Sequence, residues 1–147
     1  MMRKILFRGK RTDSSEWVEG FLWCEWYAMR QRNDYHIYTF NKTDDGEIFL
    51  TGDYKVDPET VGQYTGLKDS TGKMIFEGDI LEFWQPEFDL ADKSWGIVRY
   101  FADEGYPAFD IETLNVDSNG LSYIMANCEC EIIGNIHDNP ELLEVQG

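Results

Sequence analysis

Short apolar runs, rich in β-branched and aromatic residues and separated by Gly, Asp and Asn, fill most of the chain. That is the grammar of strands and tight turns. Lys4 to Arg8 reads as a first strand and Trp17 to Trp23 as a second, with Gly20 inside it marking a bulge or a close backbone approach. Tyr35 to Phe40 is a third. Thr43-Asp44-Asp45-Gly46 supplies turn chemistry before Glu47 to Leu50 returns, which predicts a hairpin. Asp57-Pro58 then predicts a capped helical turn that Gly62 would stop. A boundary placed here gives an N-terminal β lobe over residues 1–57 and a second lobe over 58–147.

The second lobe has clearer punctuation. Asp69-Ser70-Thr71-Gly72-Lys73 is a tight turn between Gln63-Tyr64-Thr65 and Met74-Ile75-Phe76. Glu77-Gly78-Asp79 precedes a strand over Ile80 to Trp84, and a polar, acidic loop from Pro86 to Ser94 leads to another over Trp95 to Phe101. Ala108 to Val116 follows, then Asp117-Ser118-Asn119-Gly120, whose Asn-Gly pair predicts a hairpin turn. Leu121 to Ala126 and Cys130 to Gly134 complete the strand set, and Asn139-Pro140 opens a short C-terminal helix. The expected class is mainly β, a β-rich α+β chain, and the strand spacing of the second lobe points to a small barrel or sandwich.

Composition narrows this picture. With 147 residues, 42% apolar and 15% aromatic, the chain can bury a real core without disulfides or a structural metal. No stretch approaches a membrane span, and the opening is too short in its apolar part for a signal peptide. Three cysteines, Cys24, Cys128 and Cys130, do not make a complete disulfide framework. In a strand, Cys128 and Cys130 share one face while Glu129 and Glu131 take the other. The Cys-x-Cys spacing and only two histidines, His36 and His137, fall short of a zinc site. These features predict a cytoplasmic protein without a metal or cofactor. Thirteen bases against 28 acids give a net charge of −15, a surface that repels a phosphate backbone, so direct nucleic-acid binding is not expected. The bases concentrate at the start, in Arg3, Lys4, Arg8, Lys10 and Arg11.

Three segments carry a resemblance. Gln63 to Asp69 with Gly72-Lys73 and Ile75 to Ile80, the ending Glu131 to Leu143, and the opening Arg3 to Gly9 together resemble the YopX family of phage and prophage proteins. The resemblance implies a phage or prophage origin and an SH3-like barrel in the second lobe. It implies no catalytic residues.

The residues themselves show no phosphate loop, dinucleotide fingerprint or nucleophile elbow. Acidic clusters such as Asp44-Asp45 and Asp103-Glu104 lack the spacing of a calcium loop. Turn chemistry accounts for Asp69, Asp79 and Asn135, with a pocket lined by these and Tyr64 as the functional alternative. Trp84 and Trp95 flank the acidic loop, where an exposed ring suits a protein contact. The candidate interaction surface is therefore Trp84, Trp95, Tyr64, Asp69 and Asp79, with no catalytic residue assigned. The leading expectation is a non-enzymatic interaction or assembly module. It would bind an unidentified host or phage protein and form a homo-oligomer through its basic opening and open strand edges. A small enzyme or ligand-binding barrel using Asp79 and Glu82 is one alternative. An acidic decoy of a nucleic-acid-binding protein is the other.

Overall fold

The computed structural model describes residues 3–27, 32–85, 93–112 and 120–144. The chain is mainly β, with antiparallel sheets and few helices. It divides into two compact units, Met1–Tyr64 and Thr65–Gly147.

In the first unit, β1 (Phe7–Lys10), β2 (Trp17–Tyr27), β3 (Arg32–Lys42) and β4 (Ile48–Val56) pair in the order β4-β3-β2-β1. The predicted hairpin joins β3 to β4, closed by Thr43 N–H donating to the Glu47 carbonyl at 2.8 Å and Gly46 N–H to that of Thr43 at 2.9 Å. The first strand begins at Phe7 rather than Lys4, and β1 also pairs with the start of β5 (Gly62–Lys68) through Phe7 and Gln63. Alternation puts Ile37 and Val56 on one face, where both are buried. Gly20 makes the predicted close approach. A Cβ there would collide with the Tyr38 carbonyl and stand 2.9 Å from Ile37 Cγ2. The Pro58–Thr60 turn is a 3-10 turn capped by Asp57, whose carboxylate accepts from Glu59 N–H at 3.0 Å.

In the second unit, β6 (Met74–Phe76), β7 (Asp79–Trp84), β8 (Ser94–Tyr100), β9 (Phe109–Glu112) and β10 (Glu129–Asn135) carry the strand signals read above. Four of them form a sheet in the order β10-β7-β8-β9. Ile75, Leu81, Val98, Ile111 and Cys130 are buried together with Leu121 and Ile124. Each large aliphatic side chain so placed contributes roughly 1.5–3 kcal/mol.

One expected strand is a helix. Leu121 to Ala126 lies within α1 (Gly120–Asn127). Leu121, Ile124, Met125 and Cys128 recur at the spacing of a helical face, and all four pack in the core. Helical period overrides the β propensity of Tyr123 and Ile124. The return that the Asn-Gly hairpin required is thereby absent. The rest of that turn, and the end of the Ala108 to Val116 strand, lie in 113–119, outside the described residues. The acidic loop also lies outside them for residues 86–92.

Asp110 begins α1 from a distance. Its Oδ1 accepts from Leu121 N–H at 2.9 Å and from Ile111 N–H at 2.8 Å, so a strand carboxylate satisfies a donor of the helix's first turn. The terminal helix α2 (Glu141–Glu144) follows Asn139-Pro140 as expected. The Asn139 carbonyl accepts from Leu142 N–H at 3.1 Å, but its side chain does not cap that helix. Its Oδ1 accepts from Asn135 N–H at 3.2 Å, closing the turn after β10. Gly134 keeps room for it, since a Cβ there would stand 2.5 Å from Asn139 Oδ1. Among the described residues, no helix is long and apolar enough to cross a membrane.

Candidate functional site

An antiparallel sheet with one buried face ordinarily turns polar side chains outward. The first unit departs from that rule. Phe21 stands opposite Tyr38 and Trp23 opposite His36. Phe40 stands opposite Leu50 and Lys42 opposite Ile48. Directly opposed residues share a face, so these side chains line the side of the sheet away from Ile37. Phe21 is 56% exposed, Trp23 45%, Phe40 46%, Ile48 66% and Leu50 53%.

The rings form one continuous stripe. Phe21 and Phe40 meet edge to face at 5.5 Å. Trp23 lies 6.0 Å from Tyr38 and 5.9 Å from His36, and Tyr38 stacks on His36 at 6.4 Å. These are favourable aromatic separations and hold the rings in place. His36 Nδ1 is 2.8 Å from Asp53 Oδ1, which orients the imidazole at one end of the stripe. Phe21, Trp23, Tyr38, Phe40, Lys42 and Ile48 line a shallow concavity of about 760 Å³ along the stripe.

Large aromatic side chains bury roughly 150–250 Å² each. Five half-exposed apolar side chains of about this size therefore offer on the order of 500 Å², more than half of the ~800 Å² per partner in a standard interface. Isolated surface hydrophobics need no explanation, whereas a contiguous patch of this size, comparable to the largest that a typical monomer exposes, is often functional.

The sequence-predicted surface is divided. Trp84 and Trp95 stay together, both half-buried, on one face of the β7–β8 pair. Trp95 stands opposite Glu82, and Lys93 Nζ bridges Glu82 and Trp84, 3.2 Å from Glu82 Oε1 and 4.6 Å from the centre of the Trp84 ring. Tyr64, Asp69 and Asp79 are buried, at 7%, 5% and 1% exposure, and present no surface.

Each buried carboxylate serves the backbone. Asp69 Oδ1 accepts from Thr71 N–H at 2.9 Å, Lys73 N–H at 2.9 Å and the Thr71 hydroxyl at 2.7 Å. Its Oδ2 accepts from Ile132 N–H at 3.0 Å, on β10. Burial pushes the Asp69 pKa up, but the donors from Ile132, Thr71 and Lys73 outweigh it and hold the carboxyl below the usual range. Asp79 Oδ2 accepts from Phe76 N–H at 2.8 Å. Asn135, opposite Asp79 in the β7–β10 pair, takes His137 and Asp138 N–H on its amide oxygen at 3.0 and 2.9 Å. Burial raises the Cys128 and Cys130 thiols, which leaves them protonated and poor nucleophiles. Among the described residues, no three His, Cys, Asp or Glu side chains gather as a metal site.

The aromatic stripe escaped the sequence reading because strand alternation only says that two faces exist. Its signal was legible in part. In β2, Phe21 and Trp23 alternate with Gly20 and Leu22, so apolar residues occupy both faces.

A family model described as "YopX protein" matches residues 6–144. A crystal structure of protein EF1440 from Enterococcus faecalis matches with a TM-score of 0.61 and 27% sequence identity. The match covers 97% of this chain and 99% of that one. No curated protein matches.

Proposed function

This chain belongs to the YopX family, and we propose that it works as a non-enzymatic protein-interaction module whose contact surface is the aromatic face of β2, β3 and β4. The observation that carries the reading is that stripe of rings, exposed on a sheet whose opposite face already buries Ile37 and Val56. Large amphipathic rings of this kind concentrate at the cores of protein interfaces. The use of Asp69, Asp79 and Asp110 as backbone acceptors supports a structural role for the carboxylates. Its setting in this reading is the cytosol of a host carrying a phage or prophage. The free thiols of Cys24, Cys128 and Cys130 support that reducing compartment.

Site-specific photocrosslinking tests the proposal. A photoreactive phenylalanine analogue at Phe40 is expected to trap a polypeptide in producing cells. The same analogue at Tyr123, an exposed ring of the second unit, is expected to trap none. Absence of a polypeptide adduct at Phe40 overturns the reading. So does turnover of a small molecule that His36→Asn abolishes.

A further inference from the structure

Accepting the aromatic face as an interaction surface, we infer that its occupant is the basic opening segment of a second copy of this chain, exchanged reciprocally between two copies. The inference rests on two groups of opposite charge that make no ion pair among the described residues.

The first group is acidic and lies on the turn that joins two residues lining the concavity, Lys42 and Ile48. Asp44, Asp45 and Glu47 sit on the β3–β4 hairpin immediately before Ile48, all exposed, and make no ion pair among the described residues. The hairpin presents them on a fixed frame, because Glu47 N–H donates to Thr43 Oγ1 at 3.0 Å in addition to the two backbone bonds of the turn. Lys42 is the cation beside them on the concavity.

The second group is basic. Three of the five opening cations are held within their own copy. Arg8 and Lys10 lie over the Trp17 ring at 4.7 and 5.5 Å. Arg11 pairs with Asp13 at 2.8 Å. Arg3 and Lys4 are exposed, outside any strand, and make no ion pair among the described residues. Ile5 follows them, 50% exposed. Arg3-Lys4-Ile5 thus carries two cations and an apolar side chain, which matches a largely apolar concavity with an acidic turn next to it in the chain.

Charge selects this occupant over a simple face-to-face pair. Two copies at net −15 repel, and stacking the same faces brings no cationic segment to either acidic turn. Seating the segment on its partner's hairpin places opposite charges together twice per dimer, the self-complementary form of a two-fold interface. The remaining repulsion is screened within about 8 Å at physiological salt.

Sedimentation equilibrium of the full chain, from low micromolar to several hundred micromolar, reads the association. The wild-type chain is expected to exceed its 17.2 kDa monomer mass. Arg3→Glu with Lys4→Glu, and separately Asp44→Lys with Asp45→Lys, are each expected to weaken association at least about tenfold, since like charges then meet. All four positions are exposed, and circular dichroism checks that both variants remain folded. Mixing the two variants restores both charge pairs in a heterodimer and is expected to recover wild-type affinity.

A wild-type chain that stays at 17.2 kDa throughout overturns the proposal. Unchanged association in either reversed variant, or a mixture that fails to recover, does the same. The photocrosslink at Phe40 separates this failure from that of the broader reading. A monomer that still traps another protein there keeps the face as an interaction surface and removes only the second copy.

Discussion

Asp69 joins a turn to a strand more than sixty residues away, and removing its carboxylate is expected to be among the costliest single changes in the second unit. It accepts three backbone N–H bonds and one hydroxyl bond, from Thr71, Lys73 and Ile132. Ser70 ties the same two elements together, donating its N–H to the Cys130 carbonyl at 2.9 Å and accepting from Cys130 N–H at 2.9 Å. In Asp69→Ala the Thr71 and Lys73 donors lie at an exposed turn, where water replaces most of what is lost. The Ile132 donor is half-buried and bears the larger penalty, about 1–3 kcal/mol for an unsatisfied buried group. Adding a net ~0.5–1.5 kcal/mol for each bond water replaces imperfectly gives a total on the order of 2–4 kcal/mol. Asp69→Asn keeps the shape but turns an amide donor towards N–H groups, so it is expected to recover less than half of that loss. Urea unfolding at neutral pH measures both. The sign with pH follows from the lowered folded pKa. The stabilisation is fully present above the unfolded value near 4 and is lost as pH falls towards and through the folded one. The wild-type advantage over Asp69→Asn must therefore shrink as the solution is acidified below about pH 4. Variants within about 0.5 kcal/mol of wild type at neutral pH, the spread of ordinary surface substitutions, would refute the reasoning.

Three further outcomes are expected. Asp110→Ala removes the acceptor for Leu121 N–H and is expected to cost about 1–2 kcal/mol, the scale of a lost helix cap, with hydrogen exchange rising first at the start of α1. Gly134→Ala forces Asn139 away from the Asn135 amide and is expected to cost about 1–3 kcal/mol in denaturant unfolding, the usual range for overpacking. Exposed Cys24 is expected to alkylate in native protein while buried Cys130 alkylates only on unfolding, so mass spectrometry finding equal rates at both would contradict the burial of Cys130.

Much of the local structure was legible in residues close together in sequence. Thr43 to Glu47 made its turn because local chemistry bends the backbone whatever surrounds it, and Asp57-Pro58 capped its 3-10 turn for the same reason. Cys130 turned inward and Glu129 and Glu131 outward because strand period is geometric. The α1 segment was misread where two local signals disagreed. Asn119-Gly120 spoke for a hairpin, the spacing of Leu121, Ile124, Met125 and Cys128 for a helix, and burial of that stripe in the core decided between them. Long-range placement decided the rest. Nothing near Asp69 in sequence points to Ile132, and nothing near Asp110 points to Leu121, because those carboxylates are satisfied by donors that only folding brings within 3 Å. Alternation divided the side chains of β2, β3 and β4 into two sets but did not say which set would be covered. Pairing register aligned Phe21, Trp23, Tyr38 and Phe40 on one side of the sheet, and burial of Ile37 and Val56 on the other left those rings exposed.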